Sequence, residues 1–272
     1  MNYLKLLFLF VISMPLFSRL WGVVTRIEKP EWLAAKMISV FKNHYDIDMN
    51  QFVGNEEDYG SLSKFFVRKL DKNTRPLKDD EKSFLSPSDG VVTVCEKVAA
   101  DIATQVKGRT YSISDLVRKE LDFSDGYYLF TIYLSPKDYH RYHVPVNTTV
   151  RSYIHTGWRL FPVNKMSVNC INDLFVRNER VVVKMKKDDY EFYYVAVGAT
   201  FVGSIKMDFF SKPVDGKWTV VDKEYTQNQE LGMFEMGSTV VLLVPENMVG
   251  EVNIGQGDTV KAGDPLFQMT KK

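Results

Sequence analysis

The sequence predicts an α+β protein whose larger part is antiparallel β-sheet, and three observations carry that prediction. Beyond Ser86 the apolar residues fall into short branched and aromatic runs, Val91–Val94, Tyr127–Leu134, Val181–Lys186, Glu191–Val197 and Thr239–Val244, separated by Gly, Asp and Pro turns. Ahead of them, after Pro30, the spacing is helical, with Leu33, Met37, Val40 and Phe41 on one face. With 18 Phe and 14 Tyr the chain also has ample material for a packed core.

The amino-terminal stretch reads as an attachment to a membrane surface. Leu6–Ile12 is apolar throughout, but extending it to Val24 takes in Ser13, Pro15, Ser18, Arg19 and Gly22. That is too interrupted for a spanning helix, which needs about 20 mostly apolar residues. Lys5 before an apolar stretch suits a secretory signal, yet no clean small-x-small cleavage site follows. Residues 1–45 carry Lys5, Arg19, Arg26, Lys29, Lys36 and Lys42 against Glu28 and Glu31, a net +4. Basic residues beside Phe17, Trp21 and Trp32 suit helices lying on an anionic bilayer. For Leu33–Phe41 alone, a helix packed on the protein's own core reads equally well.

Residues 46–85 read as a connector with polar turns, a short basic amphipathic piece at Ser63–Leu70 and a solvated charge run at Lys78–Lys82. From residue 86 to 272 one β-rich domain is expected, interrupted by a short helix at Ser114–Glu120 capped by Ser114. Globally, 35 basic against 34 acidic residues give no field that would attract nucleic acid. Cys95 and Cys170 fit neither a metal-ligand pattern nor a disulfide framework, as expected of reduced thiols facing the cytosol. No tandem repeat or low-complexity tract is present.

Three stretches carry chemistry. In Met236-Gly237-Ser238-Thr239, glycine leaves the peptide carbonyl unshielded, so the Ser238 hydroxyl could attack the carbonyl of Gly237 once a base takes its proton. Taken alone, such a stretch is more often a turn entering a strand. Ser86-Pro87-Ser88-Asp89-Gly90 offers an acid in a turn, and Asp138–Pro145 offers His140 and His143 in an aromatic and basic setting. Serine, histidine and aspartate are the parts of a proton relay, in which aspartate holds the imidazole that deprotonates the hydroxyl. A zinc pair at His140 and His143 competes with this reading but lacks a third ligand. His44 and His155 have no such setting and read as ordinary residues.

These motifs, with Arg177–Arg180, Val197–Ile205, Phe65–Leu70, Arg75-Pro76 and Thr25–Pro30, resemble the phosphatidylserine decarboxylases in family order over nearly the whole chain. Met236 departs from the family's usual leucine, a change of similar volume. The resemblance implies a self-processing proenzyme cut between Gly237 and Ser238 into a β chain (1–237) and an α chain (238–272). Ser238 then becomes a covalent pyruvoyl group, the pyruvate cofactor, on which the substrate amine forms a Schiff base. Asp89, His143 and Ser238 match the self-processing triad, and His140 matches the histidine assigned a part in decarboxylation. No metal is implied. The expected reaction is phosphatidylserine to phosphatidylethanolamine and carbon dioxide, at the cytoplasmic face of the cell membrane, by a peripheral protein of a family that tends toward homodimers.

Gly257-Asp258 and Gly263-Asp264 in the tail resemble the hammerhead half of lipoyl and biotinyl carrier domains, without a carrier lysine in place. The expected fold is therefore a barrel- or sandwich-like catalytic domain with a lipoyl-like carboxyl-terminal hairpin behind amphipathic helices. Two readings from other classes stay open at this point. One is a serine hydrolase acting in trans, for which no Gly-x-Ser-x-Gly elbow is present; the other is a non-enzymatic lipid-binding module.

Overall fold

The computed structural model describes residues 13–106, 109–163, 165–200, 205–210, 216–235 and 238–270. Helix α1 (Pro15–Thr25) starts on a proline, whose missing N–H costs nothing in the first turn. It leaves Leu16, Leu20, Val23 and Val24 exposed along one side. Helix α2 (Glu31–Tyr45) extends the expected Leu33–Phe41 helix at both ends and stops where Asp46 turns left-handed. Its Ala34 and Ile38 are buried, and Met37 and Phe41 pack on a cluster with Ile47, Phe52, Leu62, Phe65, Tyr139 and Ala262. The own-core reading therefore holds for that face of α2, while Val40 and Trp32 point outward. Helix α3 (Leu62–Phe66), capped by the Ser61 hydroxyl, buries Leu62, Phe65 and Phe66.

The core is an eight-stranded antiparallel sheet in the order Thr219–Tyr225, Thr148–Thr156, Arg180–Lys187, Tyr190–Gly198, Ser238–Pro245, Tyr127–Leu134, Gly90–Val98 and Thr259–Val260. All five strands expected from sequence are in it, Tyr127–Leu134 with the same bounds and the others longer. The central strand Ser238–Pro245 is buried along nearly its whole length. Val240, Leu242 and Val244 face one core cluster, and Val241 and Leu243 face the other. Burial on both faces removes any reason for polar alternation, hence the unbroken apolar run.

One face packs against two three-stranded sheets. The first joins Ser83–Leu85, Pro265–Met269 and Val249–Val252; the second joins Ile205–Met207, Glu230–Phe234 and Arg141–His143. The other face is covered by the Ala103–Val106/Arg109–Tyr111 hairpin and the short helices Ile113–Val117, Lys165–Cys170 and Leu174–Arg177. The cap of Ile113–Val117 is Ser112, which accepts from Asp115 N at 3.0 Å, and not Ser114 as expected; Ser114 already lies inside the first turn.

The architecture is layered, and no closed barrel forms among the described residues: the edges Thr219–Tyr225 and Thr259–Val260 do not pair with each other. The first of these edges carries a register shift between Val220 and Lys223 and the charged Asp222, Lys223 and Glu224, features that discourage further pairing. In the tail, Val249–Val252 pairs with Pro265–Met269, and the excursion between them reaches across to pair with Val91 and Gly90. Both Gly-Asp turns form, with Asp258 accepting from Gly255 N and Asp264 from Lys261 N.

Gly157 ends the strand Thr148–Thr156 with φ +86°, and a Cβ there would lie 2.2 Å from the Asn178 carbonyl oxygen. Gly157→Ala is expected to cost about 2 kcal/mol or more, from left-handed strain plus displaced backbone, read as a lowered urea midpoint.

Candidate active site

Ser238 opens the central strand, its backbone in register with Leu134 on one side and Gly198 on the other. The side chain is fully buried, and its Oγ has no hydrogen-bond partner among the described residues. A buried hydroxyl left unpaired costs about 1–3 kcal/mol, so this atom calls for a reason other than stability. Met236 and Gly237 lie outside the described residues. Just before them, the Glu235 carboxylate takes ion pairs from Arg26, at the end of α1, and from Lys206.

His140 lies on the segment beside that approach, its carbonyl accepting from Phe234 N at 2.9 Å. Its ring is fully buried against Phe66, with centroids 4.0 Å apart. Nδ1 is 2.8 Å from the Asp138 carbonyl. A carbonyl only accepts, so Nδ1 carries the hydrogen and the neutral ring has its lone pair on Nε2. That Nε2 is also without a partner among the described residues. Burial pushes the His140 pKa down to about 3; the nearby Arg68 charge adds to this, and the Asp138 carbonyl opposes it.

Arg68 holds this arrangement from behind. It belongs to the basic amphipathic piece read from the sequence, but it is almost fully buried over the Phe52 ring. It donates to the carbonyls of Phe65, Lys137 and Asp138. Burial lowers its pKa to about 10, leaving it charged at neutral pH. The Asp138 carboxylate closes the same turn by accepting from Ser135 N and Oγ.

His143, in the strand Arg141–His143, has both ring nitrogens engaged. Nδ1 donates to the Asn228 carbonyl at 2.7 Å, so Nε2 accepts from the Tyr139 hydroxyl at 2.9 Å. Burial lowers its pKa, while the charges of Glu230 and Asp89 pull more weakly the other way. Asp89 forms a two-point ion pair with Arg75 and accepts from Ala262 N at 2.9 Å. Gly90 follows with φ +155°, where a Cβ would meet the Tyr133 carbonyl oxygen at 2.5 Å, so only glycine fits.

The structure thus brings Asp89 and His143 into one neighbourhood without bonding them to each other. They are linked through the Pro87 carbonyl, which accepts from His143 N, and through a cavity of about 580 Å³ that Arg75, Tyr139 and His143 all line. Among the described residues, no group of three His, Cys, Asp or Glu side chains is placed to share a metal. His155, read from sequence as ordinary, pairs with Glu179 at 2.9 Å.

Besides Arg68, sequence reasoning did not anticipate Arg75 as the partner of Asp89 or Asn178 as a clamp. Buried Asn178 donates to the carbonyls of Phe161 and Gly198 and accepts from Phe161 N, fixing the strand end opposite Ser238. It lies within the Arg177–Arg180 motif, but nothing in its neighbours marks it as a clamp. Tyr139 belongs to the aromatic setting expected to bury and orient the two imidazoles, and it does hold His143.

A buried neutral imidazole also makes stability depend on pH. Between about 3 and 6.5 the unfolded chain binds a proton at His140 that the folded chain does not, so stability rises with pH through that window. Lowering the pH from 7 to 5 should therefore destabilise the parent more than His140→Gln, by up to about 2 kcal/mol. Urea unfolding of both on an uncut Ser238→Ala background checks this, and equal losses would refute it.

The family model described as phosphatidylserine decarboxylase matches residues 62–268. The chain is 35% identical to the phosphatidylserine decarboxylase proenzyme of Brevibacillus brevis, over 86% of this chain and 88% of that protein. It is 31% identical to the proenzymes of the same name from Salmonella paratyphi B and Salmonella newport, over 100% of this chain and 89% of each.

Proposed function

The chain belongs to the phosphatidylserine decarboxylase family and is a decarboxylase, and from that premise we propose that it converts phosphatidylserine to phosphatidylethanolamine and carbon dioxide through a pyruvoyl group made from its own Ser238. The observation that best supports this is the Ser238 hydroxyl itself, buried, without a partner among the described residues and directly after a glycine in a family of proenzymes.

In this reading the Ser238 Oγ gives up its proton and attacks the Gly237 carbonyl, and the peptide bond becomes an ester. Loss of the serine α-proton expels the Gly237 carboxylate. The dehydroalanine left behind tautomerises, takes up one water and releases ammonia. The residues that remain fit such a group: strands flank Ser238 on both sides and its side chain is fully buried, which keeps the start of strand Ser238–Pro245 dry. Once formed, the group supplies a carbonyl that takes the substrate amine and holds the electron pair left when carbon dioxide departs.

His143, with Asp89, is assigned to self-processing. For this its Nε2 must exchange the Tyr139 hydroxyl hydrogen for that of the serine. Arg75 and Ala262 N fix the Asp89 carboxylate, whose charge favours the imidazolium that results. His140 is assigned to the proton transfer of decarboxylation. Its lone pair on Nε2 sets it to collect a proton before delivering one to carbon.

A two-chain lipid is met at a bilayer surface, and the amino terminus supports attachment there. No helix among the described residues is long and apolar enough to cross a membrane. Helix α1 keeps one apolar side exposed in a segment of net +4. It starts beside Ser13, whose carbonyl accepts from Leu160 N, and ends at Arg26 on Glu235. Its 11 residues, about 16 Å, therefore lead to the segment that precedes Ser238. We place the protein peripherally on the cytoplasmic face of the cell membrane.

The test is the intact mass of the purified protein. Two chains, 1–237 and 238–272, the smaller blocked to amino-terminal sequencing and lacking one nitrogen, are expected. An active preparation consisting of a single full-length chain would overturn the proposal.

A further inference from the structure

Trp158 is 66% exposed, yet the residues after it, Leu160 and Phe161, are buried and rigidly held. Asn178 clamps both backbone groups of Phe161, and the Thr200 hydroxyl donates to the Leu160 carbonyl. The backbone of Arg159 is fixed as well, its carbonyl accepting from Glu179 N at 2.7 Å. A large indole is thus carried outward on a loop that is itself well anchored, with the Arg159 guanidinium 4.0 Å from its ring.

The position of this loop matters more than its exposure. Leu160 N donates to the Ser13 carbonyl at 3.0 Å, and Arg159 donates to the Ser13 hydroxyl. Ser13 is where the apolar run Leu6–Ile12 meets helix α1, whose exposed side is Leu16, Leu20, Val23 and Val24. An aromatic ring beside a cation, adjoining an apolar segment of net positive charge, has the composition of a bilayer interface: the ring enters the acyl boundary and the cation meets anionic headgroups.

We propose that the Trp158–Arg159 loop is a second membrane-contact element, seating on an anionic phospholipid surface together with α1. The proposal rests on the membrane-surface reading above and adds to it an element about 145 residues away in sequence, joined by a backbone hydrogen bond to Ser13, just ahead of α1. With two contacts from separate parts of the chain, the protein takes one orientation on the bilayer and cannot pivot about a single tether.

The experiment uses the full chain and sonicated vesicles of phosphatidylglycerol and phosphatidylcholine, which are not substrates. Trp158→Ser should sediment with vesicles about tenfold more weakly than the parent, the scale expected for one large aromatic side chain withdrawn from the interface. Trp158→Phe should retain most of the binding. Both should be cut into two chains and should decarboxylate a short-chain, water-soluble phosphatidylserine like the parent. In a protein keeping Trp158 as its only tryptophan, with Trp21, Trp32 and Trp218 changed to Phe, brominated acyl chains should quench the emission.

Parent-like binding by Trp158→Ser, or emission untouched by brominated lipid, would overturn the proposal while leaving the membrane reading intact. A parent that does not bind vesicles would overturn both. An altered oligomeric state of Trp158→Ser without vesicles, with vesicle binding unchanged, would assign the ring to a protein contact and likewise overturn it.

Discussion

Ser238→Ala should run as one uncut chain of 31.4 kDa and release no carbon dioxide from phosphatidylserine. The usual objection to such a result is misfolding, and the structure supplies the control. The Ser238 hydroxyl makes no hydrogen bond among the described residues, so alanine removes an unpaired buried polar atom and adds no volume. The uncut variant should therefore be at least as stable as the uncut parent, with a gain of up to about 1 kcal/mol. A Ser238→Ala chain that is still cut efficiently would remove serine from the nucleophile's role. One that is uncut and also markedly destabilised would point to a structural role for the hydroxyl.

The second large effect separates the two histidines. His143→Ala should block or greatly slow self-processing, by about 100-fold or more. It should also lose some stability, because the Asn228 carbonyl and the Tyr139 hydroxyl are left without their partner. His140→Ala should be cut into two chains but lose about 100-fold or more in decarboxylation rate. Gel analysis of cutting, followed by carbon dioxide release from the cut fraction, measures both. The opposite pattern, a cut His143→Ala and an uncut His140→Ala, would transfer the base role to His140. Its Nε2 is the imidazole nitrogen of the pair with no partner among the described residues, so this is a real alternative.

Much of this was legible in the sequence, and the reason lies in how local each feature is. Tyr127–Leu134 was readable to the residue because β-branched and aromatic residues continue to its turn boundaries. Asp89, His140, His143 and Ser238 stood out as reactive types set among glycines, prolines and aromatics. Arg68 did not, because a basic residue beside Lys64 and Lys69 has the local signature of a solvated face. What buries it is the convergence of carbonyls from residues 65, 137 and 138, a long-range fact. Closure of the sheet was unreadable for the same reason, since it depends on whether two edges far apart in sequence come into register. The relay that the resemblance implies for Asp89 and His143 does not take the form of a direct bond between them. Arg75, fourteen residues upstream, competes for the carboxylate, and no pattern around Asp89 announces that competitor.

The place of Ser238–Pro245 in the sheet has a consequence for what happens after the proposed cut. Its two neighbours, Tyr127–Leu134 and Tyr190–Gly198, would both belong to the larger product, as would Ser83–Leu85, which flanks the small product's last strand. The shorter polypeptide would be woven through the middle of the longer one, with no covalent tether and no exit except through collapse of the whole sheet. Denaturation would then be a one-way event at low concentration: separated pieces must find each other by diffusion, whereas the unprocessed form refolds as a single molecule. Dilution before renaturation should abolish recovery of the former and leave the latter untouched.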